Sequence, residues 1–305
     1  MLPAATEMVC ALGASELLVG RSHECDFPPE IRKLPACTES KINTGNTASS
    51  AEINRQIKEL QNGTQPEGDK SLYRLDAPKI KELQPDIIIT QGQCDVCAVS
   101  LREVEEMIGN WPGNRPEILS LAPARMAEIW DGIRRVANAL NIEEHGREVL
   151  RALKNRVVSI IEKTCVVTKR PSVACIEWIE PLMAAGNWVP ELVELVGGAN
   201  VLDQAGKHSA WMDGEALLKV DPEIIVLMPC GFDLNRVRSE ATALVRHPVW
   251  TKLEAVKKKR VYLTDGNAYF NRPGPRIVES LEILAEIIWP EKFKFGHKGW
   301  ELMRS

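Results

Sequence analysis

Apolar residues recur at helical spacing near the middle of the chain, between Ile142 and Lys163. Their intervals of one, three and four residues are typical of the apolar stripe of an amphipathic helix. The stripe consists of Val149, Leu150, Leu153, Val157, Ile160 and Ile161. A helix of about 22 residues spans roughly 33 Å. We therefore predict a rod that connects two lobes.

The segments on either side of this helix resemble each other. One pair of similar segments is Lys81–Cys94 and Leu218–Cys230. In both, a predicted helix end is followed by Pro, an acidic residue, two isoleucines and a short apolar run, and the segment ends at a Cys. Ala11–Arg21 and Leu195–Gln204 share a helix end, a Gly and a short apolar run. Short apolar runs after helices are typical of buried parallel strands. The repeats therefore predict two related α/β units.

The same patterns predict the remaining elements. The predicted strands are Leu17–Arg21, Asp86–Thr90, Glu117–Leu121, Ser172–Ile179, Glu223–Met228 and Val261–Thr264. The predicted helices are Thr6–Leu12, Ala51–Leu60, Leu75–Leu83, Ala98–Ile108, Arg125–Leu140, Pro190–Val196, Glu215–Val220, Leu234–Leu244, Trp250–Val256 and Pro273–Ile288. We divide the chain into an N-terminal α/β lobe (1–122), connecting helices including the interlobe helix (123–165) and a C-terminal α/β lobe (166–305).

Composition restricts the function classes. A length of 305 residues with 44% hydrophobic content suits two domains with full cores. A net charge of −4 disfavours general nucleic-acid binding. Because no run of about 18 apolar residues occurs, no membrane span is expected. No signal peptide is visible either, so the sequence predicts a cytoplasmic protein, or an extracytoplasmic one if its N-terminus has been trimmed.

The cysteines carry the first candidate chemistry. Cys25, Cys94 and Cys230 each follow a different predicted strand, and Cys97 completes a C-x-x-C pair. Ligands bind at the carboxyl ends of parallel strands, so these thiols are expected to converge across a cleft. Thiolates suit Zn or an Fe–S cluster, and His23 adds an imidazole. Two alternatives stay open: a thiol-lined pocket for an organic ligand, and unrelated surface or core cysteines.

Two tryptophans lie near a predicted strand exit. Trp178 and Trp188 can stack on a planar ligand, although Trp178 equally suits a core position. The sequence contains no Ser-His-Asp elbow, P-loop or GxGxxG motif. No enzyme is therefore predicted. The alternative is a cysteine-dependent enzyme that uses Cys94 or Cys97 as its nucleophile.

Several stretches resemble the cobalamin-binding type of periplasmic substrate-binding protein, the helical-backbone metal receptors of ABC transporters. They are LPAATEMVCALGASELLVGRSHECDFP, PDIIIT, WMDGEALLKVDPEIIVL and RVYLTDGNAYFNRPGPRIVESLEIL, and the resemblance covers about residues 2–288. It implies the class III periplasmic-binding-protein fold, in which two Rossmann-like α/β lobes are joined by a long backbone helix. It also implies a small-molecule ligand in the cleft, an ABC permease and ATPase as partners, and a monomer.

The resemblance also implies roles for individual residues. The cleft aromatic of the final loop falls on Tyr269, with Arg272 near it, and the docking glutamate of the second lobe falls on Glu215. Gln91 stands where the cobalamin binder has a Trp, and the first-lobe docking glutamate is replaced by Cys97 or a neighbour. Around 46–76 the chain carries extra sequence.

Three functional hypotheses follow. In the first, a solute-binding protein holds a corrinoid (cobalamin) or another metal chelate and requires no cofactor. Apolar walls then come from Trp178, Trp188, Tyr269 and Phe270, and the cysteines or His23 contact the metal. In the second, a cytosolic protein of this fold binds a metal or cluster through Cys25, Cys94, Cys97 and Cys230. The third is the cysteine-dependent enzyme.

Overall fold

The computed structural model describes residues 1–45, 48–62, 71–92, 101–109, 111 and 113–303. By its internal contacts the chain forms two compact units. The first unit comprises Met1–Ala48, Glu52–Pro123 and Ala127–Arg151, and the second comprises Ser49–Ala51, Ala124–Met126 and Ala152–Ser305. No helix in the described ranges combines the length and the apolarity needed to cross a membrane.

The first unit contains a parallel strand pair and a separate antiparallel ribbon. Its helices are α1 (Pro3–Ala11), α2 (Ser50–Asn62, whose first two residues belong to the second unit), α3 (Ala77–Leu83), α4 (Leu101–Gly109) and α5 (Met126–Ala139, whose first residue belongs to the second unit). Its strands are β1 (Thr38–Ser40), β2 (Tyr73–Leu75), β3 (Ile87–Gln91) and β4 (Glu117–Leu121). β3 pairs with β4 in parallel, and β1 pairs with β2 antiparallel. Ile80, Ile88, Val104 and Trp111 are buried together in its core.

The predicted connecting helix is α6, Glu143–Thr164. Its buried large apolar residues are Leu150, Val157 and Ile160, which lie on the predicted apolar stripe. The division between the two units falls inside this helix, after Arg151. One continuous helix therefore belongs to both units.

The second unit is built on a six-stranded mixed sheet. Its strands are β5 (Ser172–Trp178), β6 (Met183–Ala184), β7 (Ala199–Asn200), β8 (Ile224–Leu227), β9 (Val261–Thr264) and β10 (Trp300–Leu302). β7, β5, β8 and β9 run parallel, while β10 and β6 pair antiparallel with β9 and β5. All four residues of β8 are buried, which explains its unbroken Ile-Ile-Val-Leu sequence.

Five helices accompany this sheet. They are α7 (Val189–Leu195), α8 (Gly214–Val220), α9 (Leu234–Val245), α10 (Glu254–Lys257) and α11 (Ile277–Ile288). α11 is buried over almost its whole length, including the acidic residues Glu282 and Glu286. Buried carboxylates need hydrogen-bonding partners, and both acids find them in the C-terminal segment.

Several predicted elements are wrong in type or extent. The predicted strand Leu17–Arg21 is absent: Ser15–Leu17 forms a 3₁₀ turn, and Arg21 makes one isolated bridge to Ala36. Leu17 and Val19 are 54% and 44% exposed, so this apolar run has no sheet to cover it.

Two predicted helices are also shorter or divided. The last helix begins at Ile277 rather than Pro273, because Pro275 disfavours the helical conformation at the residue before it, Gly274. The predicted helix Trp250–Val256 is divided into two short ones by the extended residue Leu253.

Candidate functional site

At the carboxyl edge of the parallel strands in the second unit, the loop after β8 meets the end of β5, and the loop after β9 meets the loop after β8. The Cys230 amide, in the loop after β8, donates to the Glu177 carbonyl oxygen at 3.1 Å. The Asn267 amide, in the loop after β9, donates to the Phe232 carbonyl oxygen, also at 3.1 Å. Since ligands of parallel α/β sheets bind at this edge, these loops form the candidate site of this unit.

The loop after β9 is a single π-helical turn, Gly266–Phe270. Asp265 caps it, because its Oδ1 accepts the Ala268 amide at 2.7 Å. Burial raises the pKa of the Asp265 carboxyl. A Cβ on Gly266 would lie only 2.3 Å from the Pro229 carbonyl oxygen. Only glycine lets this turn approach the loop after β8 so closely.

Three of the aromatic residues predicted to line the site have little accessible surface. Trp178, Trp188 and Phe270 are 8%, 6% and 1% exposed. The Trp188 indole donates from Nε1 to the Phe270 carbonyl oxygen at 3.1 Å. The Trp178 ring packs 5.3 Å from that of Phe232. Their burial favours a role in holding the loops together, and direct contact with a ligand stays a prediction.

Tyr269 lies in this π-helical turn, and Arg272 follows two residues after the turn ends at Phe270. The Tyr269 ring is half-buried, which raises the pKa of its hydroxyl, and the Arg276 guanidinium lies 5.5 Å from the ring centre. Arg272 is 4% exposed and donates from Nη2 to Asn267 Oδ1 at 3.0 Å. Arg272 thus stabilises the turn, while Tyr269 stays partly exposed, and contact of either residue with a ligand stays a prediction.

Trp211 is an aromatic candidate that the sequence reasoning missed. It is 59% exposed, and its backbone is held by an isolated bridge to Met183 beside β6. Because tryptophan is enriched where proteins contact ligands and partners, this exposed indole is a candidate contact residue. The sequence signal that could have identified Trp211 is its position in the loop before α8, two residues before the N-cap residue Asp213.

His23 lies in the first unit, and its hydrogen bonds determine its tautomer. Thr38 Oγ1 donates its proton to Ser22 Oγ at 3.2 Å and accepts the His23 amide at 3.0 Å. The same oxygen lies 2.7 Å from His23 Nδ1, and this hydrogen-bond pattern assigns the imidazole proton to Nδ1. Burial, helped by the charge of Arg21, lowers the His23 pKa. The neutral ring therefore presents an unprotonated Nε2.

The other described first-unit candidates have simpler surroundings. Cys25 is 1% exposed, and its Sγ lies 3.1 Å from Thr6 Oγ1. Gln91 ends β3, is half-buried, and stands opposite Leu121 in the parallel register. Tyr73, whose ring packs 5.2 Å from that of His23, donates its hydroxyl to Glu24 Oε1 at 2.9 Å.

The predicted metal set is only partly described. His23 and Cys25 belong to the first unit, Cys230 belongs to the second, and Cys94 and Cys97 lie outside the described residues. Within the described part, no group of three or more His, Cys, Asp or Glu residues is arranged to hold a metal. A site for Zn or Fe–S at these cysteines stays a prediction.

Glu215 lies in the first turn of α8 and is exposed. The turn is capped by Asp213, whose Oδ1 accepts the Ala216 amide at 2.7 Å. Its predicted role in permease docking stays a prediction.

Two α/β units joined by one long helix, with polar and aromatic loops at the strand ends, define the two-lobed class of ligand-binding proteins. A family model described as periplasmic binding protein matches residues 2–268. The chain belongs to this family. Both the predicted family resemblance and the predicted class III fold are confirmed.

Individual relatives are distant. The uncharacterized ABC transporter substrate-binding lipoprotein YvrC of Bacillus subtilis is 21% identical, over 96% of this chain and 80% of its own. A periplasmic heme-binding protein from Pseudomonas aeruginosa superposes with a TM-score of 0.73 at 16% identity, over 99% of this chain and 96% of its own. The vitamin B12 binding protein BtuF of Vibrio cholerae gives 0.66 at 18% identity, over 96% of each chain.

Proposed function

We propose that this protein is the substrate-binding component of an ABC transporter. The family match over residues 2–268 is the observation that carries this proposal. The similarity to a substrate-binding lipoprotein along most of the chain supports it. The protein would then work outside the cytoplasm, take up a small molecule and deliver it to a permease and its ATPase, without a catalytic step of its own.

The ligand class we propose is a planar metal chelate, either a corrinoid or a heme. Structural relatives named for heme and for vitamin B12 support this class. The neutral His23 imidazole also supports it, because a metal-binding histidine needs one unprotonated nitrogen and a hydrogen-bonded second one. Tyr269 and the exposed Trp211 indole supply ring faces on which a macrocycle can pack.

Titration with hemin and with aquocobalamin, followed by visible absorption, tests the ligand class. We expect one of them to bind with a Kd of about 1 μM or tighter, equivalent to about 8 kcal/mol. Metal ligation by His23 predicts a nitrogen-ligand spectrum that His23→Ala removes. His145→Ala is the matched control, since His145 is an exposed residue of α6. Absence of binding by both compounds would refute a planar metal chelate as the ligand.

Docking is tested separately from ligand binding. We expect Glu215→Ala to reduce ligand-loaded transport by the reconstituted ABC permease while leaving ligand affinity unchanged, because Glu215 is an exposed surface residue. Glu291→Ala, at another exposed glutamate of the second unit, serves as the control. Equal transport rates for both variants would remove Glu215 from the docking surface.

A further inference from the structure

The chain after α11 folds back over the second unit as a C-terminal strap, residues 290–303. Within the strap, β10 pairs with β9 and places Trp300 opposite Thr264. Glu286 of α11 accepts the Gly296 amide at 2.7 Å and the Trp300 indole N–H at 3.0 Å. The strap is therefore attached both to the sheet edge and to the last helix.

Part of the strap packs directly against Tyr269. The Gly299 carbonyl oxygen accepts the Asp265 amide at 2.8 Å, next to the π-helical turn. A Cβ at Gly299 would lie 2.2 Å from Cε2 and 2.9 Å from Cδ2 of Tyr269, so the ring rests on the glycine backbone. The His297 ring meets the Tyr269 ring edge-on, with centroids 6.4 Å apart. The strap thus forms one wall of the space that holds this phenol.

We propose that the C-terminal strap is a positioning element for the ligand site, in which Gly299 determines where the Tyr269 ring stands. This inference rests on the proposed function, because it takes Tyr269 as a ligand contact. Gly299 acts through Tyr269, against whose ring its backbone packs. No side chain larger than hydrogen fits at this position without displacing the ring.

The geometry makes Gly299→Ala a selective probe. Gly299 does not have the left-handed backbone conformation that Gly296 has, so alanine causes no backbone strain there. The new methyl group would meet the outer atoms of a half-buried ring rather than backbone. The ring can rotate about its side-chain bonds, and the fold is expected to survive while Tyr269 moves.

His297 links the strap to a buried acid. It lies 2.7 Å from Oε2 of Glu282, which also receives a two-point hydrogen bond from Arg156 on α6. The Glu282 bond, with the charges of Glu286 and Glu279 on the same helix, raises the His297 pKa, while Glu282 keeps a lowered one. The ion pair is complete at the ordinary imidazole pKa of about 6.5, weakens as the pH rises through the raised His297 pKa, and is lost in acid only when Glu282 becomes protonated.

Fluorine NMR tests the packing without any ligand. The chain contains 3 tyrosines, and 3-fluorotyrosine labelling gives each a signal, with Tyr269 assigned through Tyr269→Phe. We expect Gly299→Ala to shift the Tyr269 signal and Lys298→Ala, at the exposed neighbouring residue, to leave it in place. We also expect the wild-type signal to shift as the pH rises through the raised His297 pKa, above the ordinary imidazole value of about 6.5, and His297→Gln to abolish this shift.

The affinity for hemin and for aquocobalamin tests whether displacement of the Tyr269 ring weakens ligand binding. For whichever compound the wild type binds, Gly299→Ala should weaken binding about fivefold, the value of one well-placed aromatic contact, and Lys298→Ala should not. An unmoved Tyr269 signal in Gly299→Ala overturns the proposal, as does a moved signal with unchanged affinity. Failure of the wild type to bind either compound counts against the proposed ligand class, and the fluorine experiment still decides whether Gly299 positions the ring.

Discussion

Gly266→Ala is the substitution that tests most directly how the candidate site is assembled. The added Cβ would lie 2.3 Å from the Pro229 carbonyl oxygen and 2.7 Å from that of Met228. Ordinary contact begins near 3.5 Å, so the backbone itself must move by about 1 Å. Neither carbonyl can rotate away as a side chain can, because both belong to the segment that follows β8 directly.

The expected loss of unfolding free energy can be calculated from these contacts. Overpacking of this kind costs about 1–3 kcal/mol, and alanine returns about 0.4–1 kcal/mol by restricting the unfolded chain. With the midpoints of these two ranges, the net loss of unfolding free energy should be about 1.3 kcal/mol. For a unit of about 150 residues, Tm should fall by about 2–4 °C for each kcal/mol. Ligand affinity should fall as well, because the displaced turn carries Tyr269.

Scanning calorimetry of wild type, Gly266→Ala and Gly109→Ala is the assay. Gly109 ends α4, and a Cβ there meets no atom within 4 Å, so its alanine variant should melt at the wild-type temperature or slightly above. A Gly266→Ala protein that melts as high as wild type would refute the reasoning. It would mean that the loops after β8 and β9 are not packed as closely as described.

Three further outcomes follow from burial and capping. In urea titrations, Ile160→Ala should lower the unfolding free energy by about 2–5 kcal/mol. Val158→Ala, on the exposed face of the same helix, should change it by less than about 0.5 kcal/mol. Similar losses in both variants would contradict the assignment of the buried and exposed faces of α6. In native protein, maleimide should label the exposed Cys165 and spare Cys175, whose pKa burial raises to about 12; labelling of Cys175 without unfolding would be the contrary result. Asp233→Ala removes the N-cap of α9, in which the Asp233 carboxylate accepts the Arg236 amide at 2.9 Å. The unfolding free energy should fall by about 1 kcal/mol, and an unchanged unfolding free energy would contradict the capping role.

Hydrophobic spacing was sufficient to predict the elements whose burial is regular. The stripe on α6 predicted that helix to within one residue at each end, and Glu117–Leu121 and Val261–Thr264 match β4 and β9. Each pattern is local, because one helix face or one buried strand is encoded in neighbouring residues. The predicted strand at Leu17–Arg21 was wrong because an apolar run becomes a strand only when another strand lies beside it.

Some short strands could not be predicted from the sequence pattern, because they form only by pairing with residues that are distant in the chain. β1 pairs Thr38 with Leu75, 37 positions away in the chain, and β10 exists because Trp300 reaches Thr264. Three-residue strands have no usable periodicity of their own. The C-terminal strap, and with it the packing of Gly299 on Tyr269, therefore could not be found from the sequence.

The sequence by itself determined the fold class, the central helix and the site candidates at strand ends, because repeats and apolar spacing are properties of neighbouring residues. Tertiary structure decided what those candidates can do. It buried Trp178 and Trp188, left Trp211 exposed, and set the His23 tautomer through Thr38. The physical reason is that burial and hydrogen bonding are set by groups far apart in the chain, whose meeting no local pattern specifies.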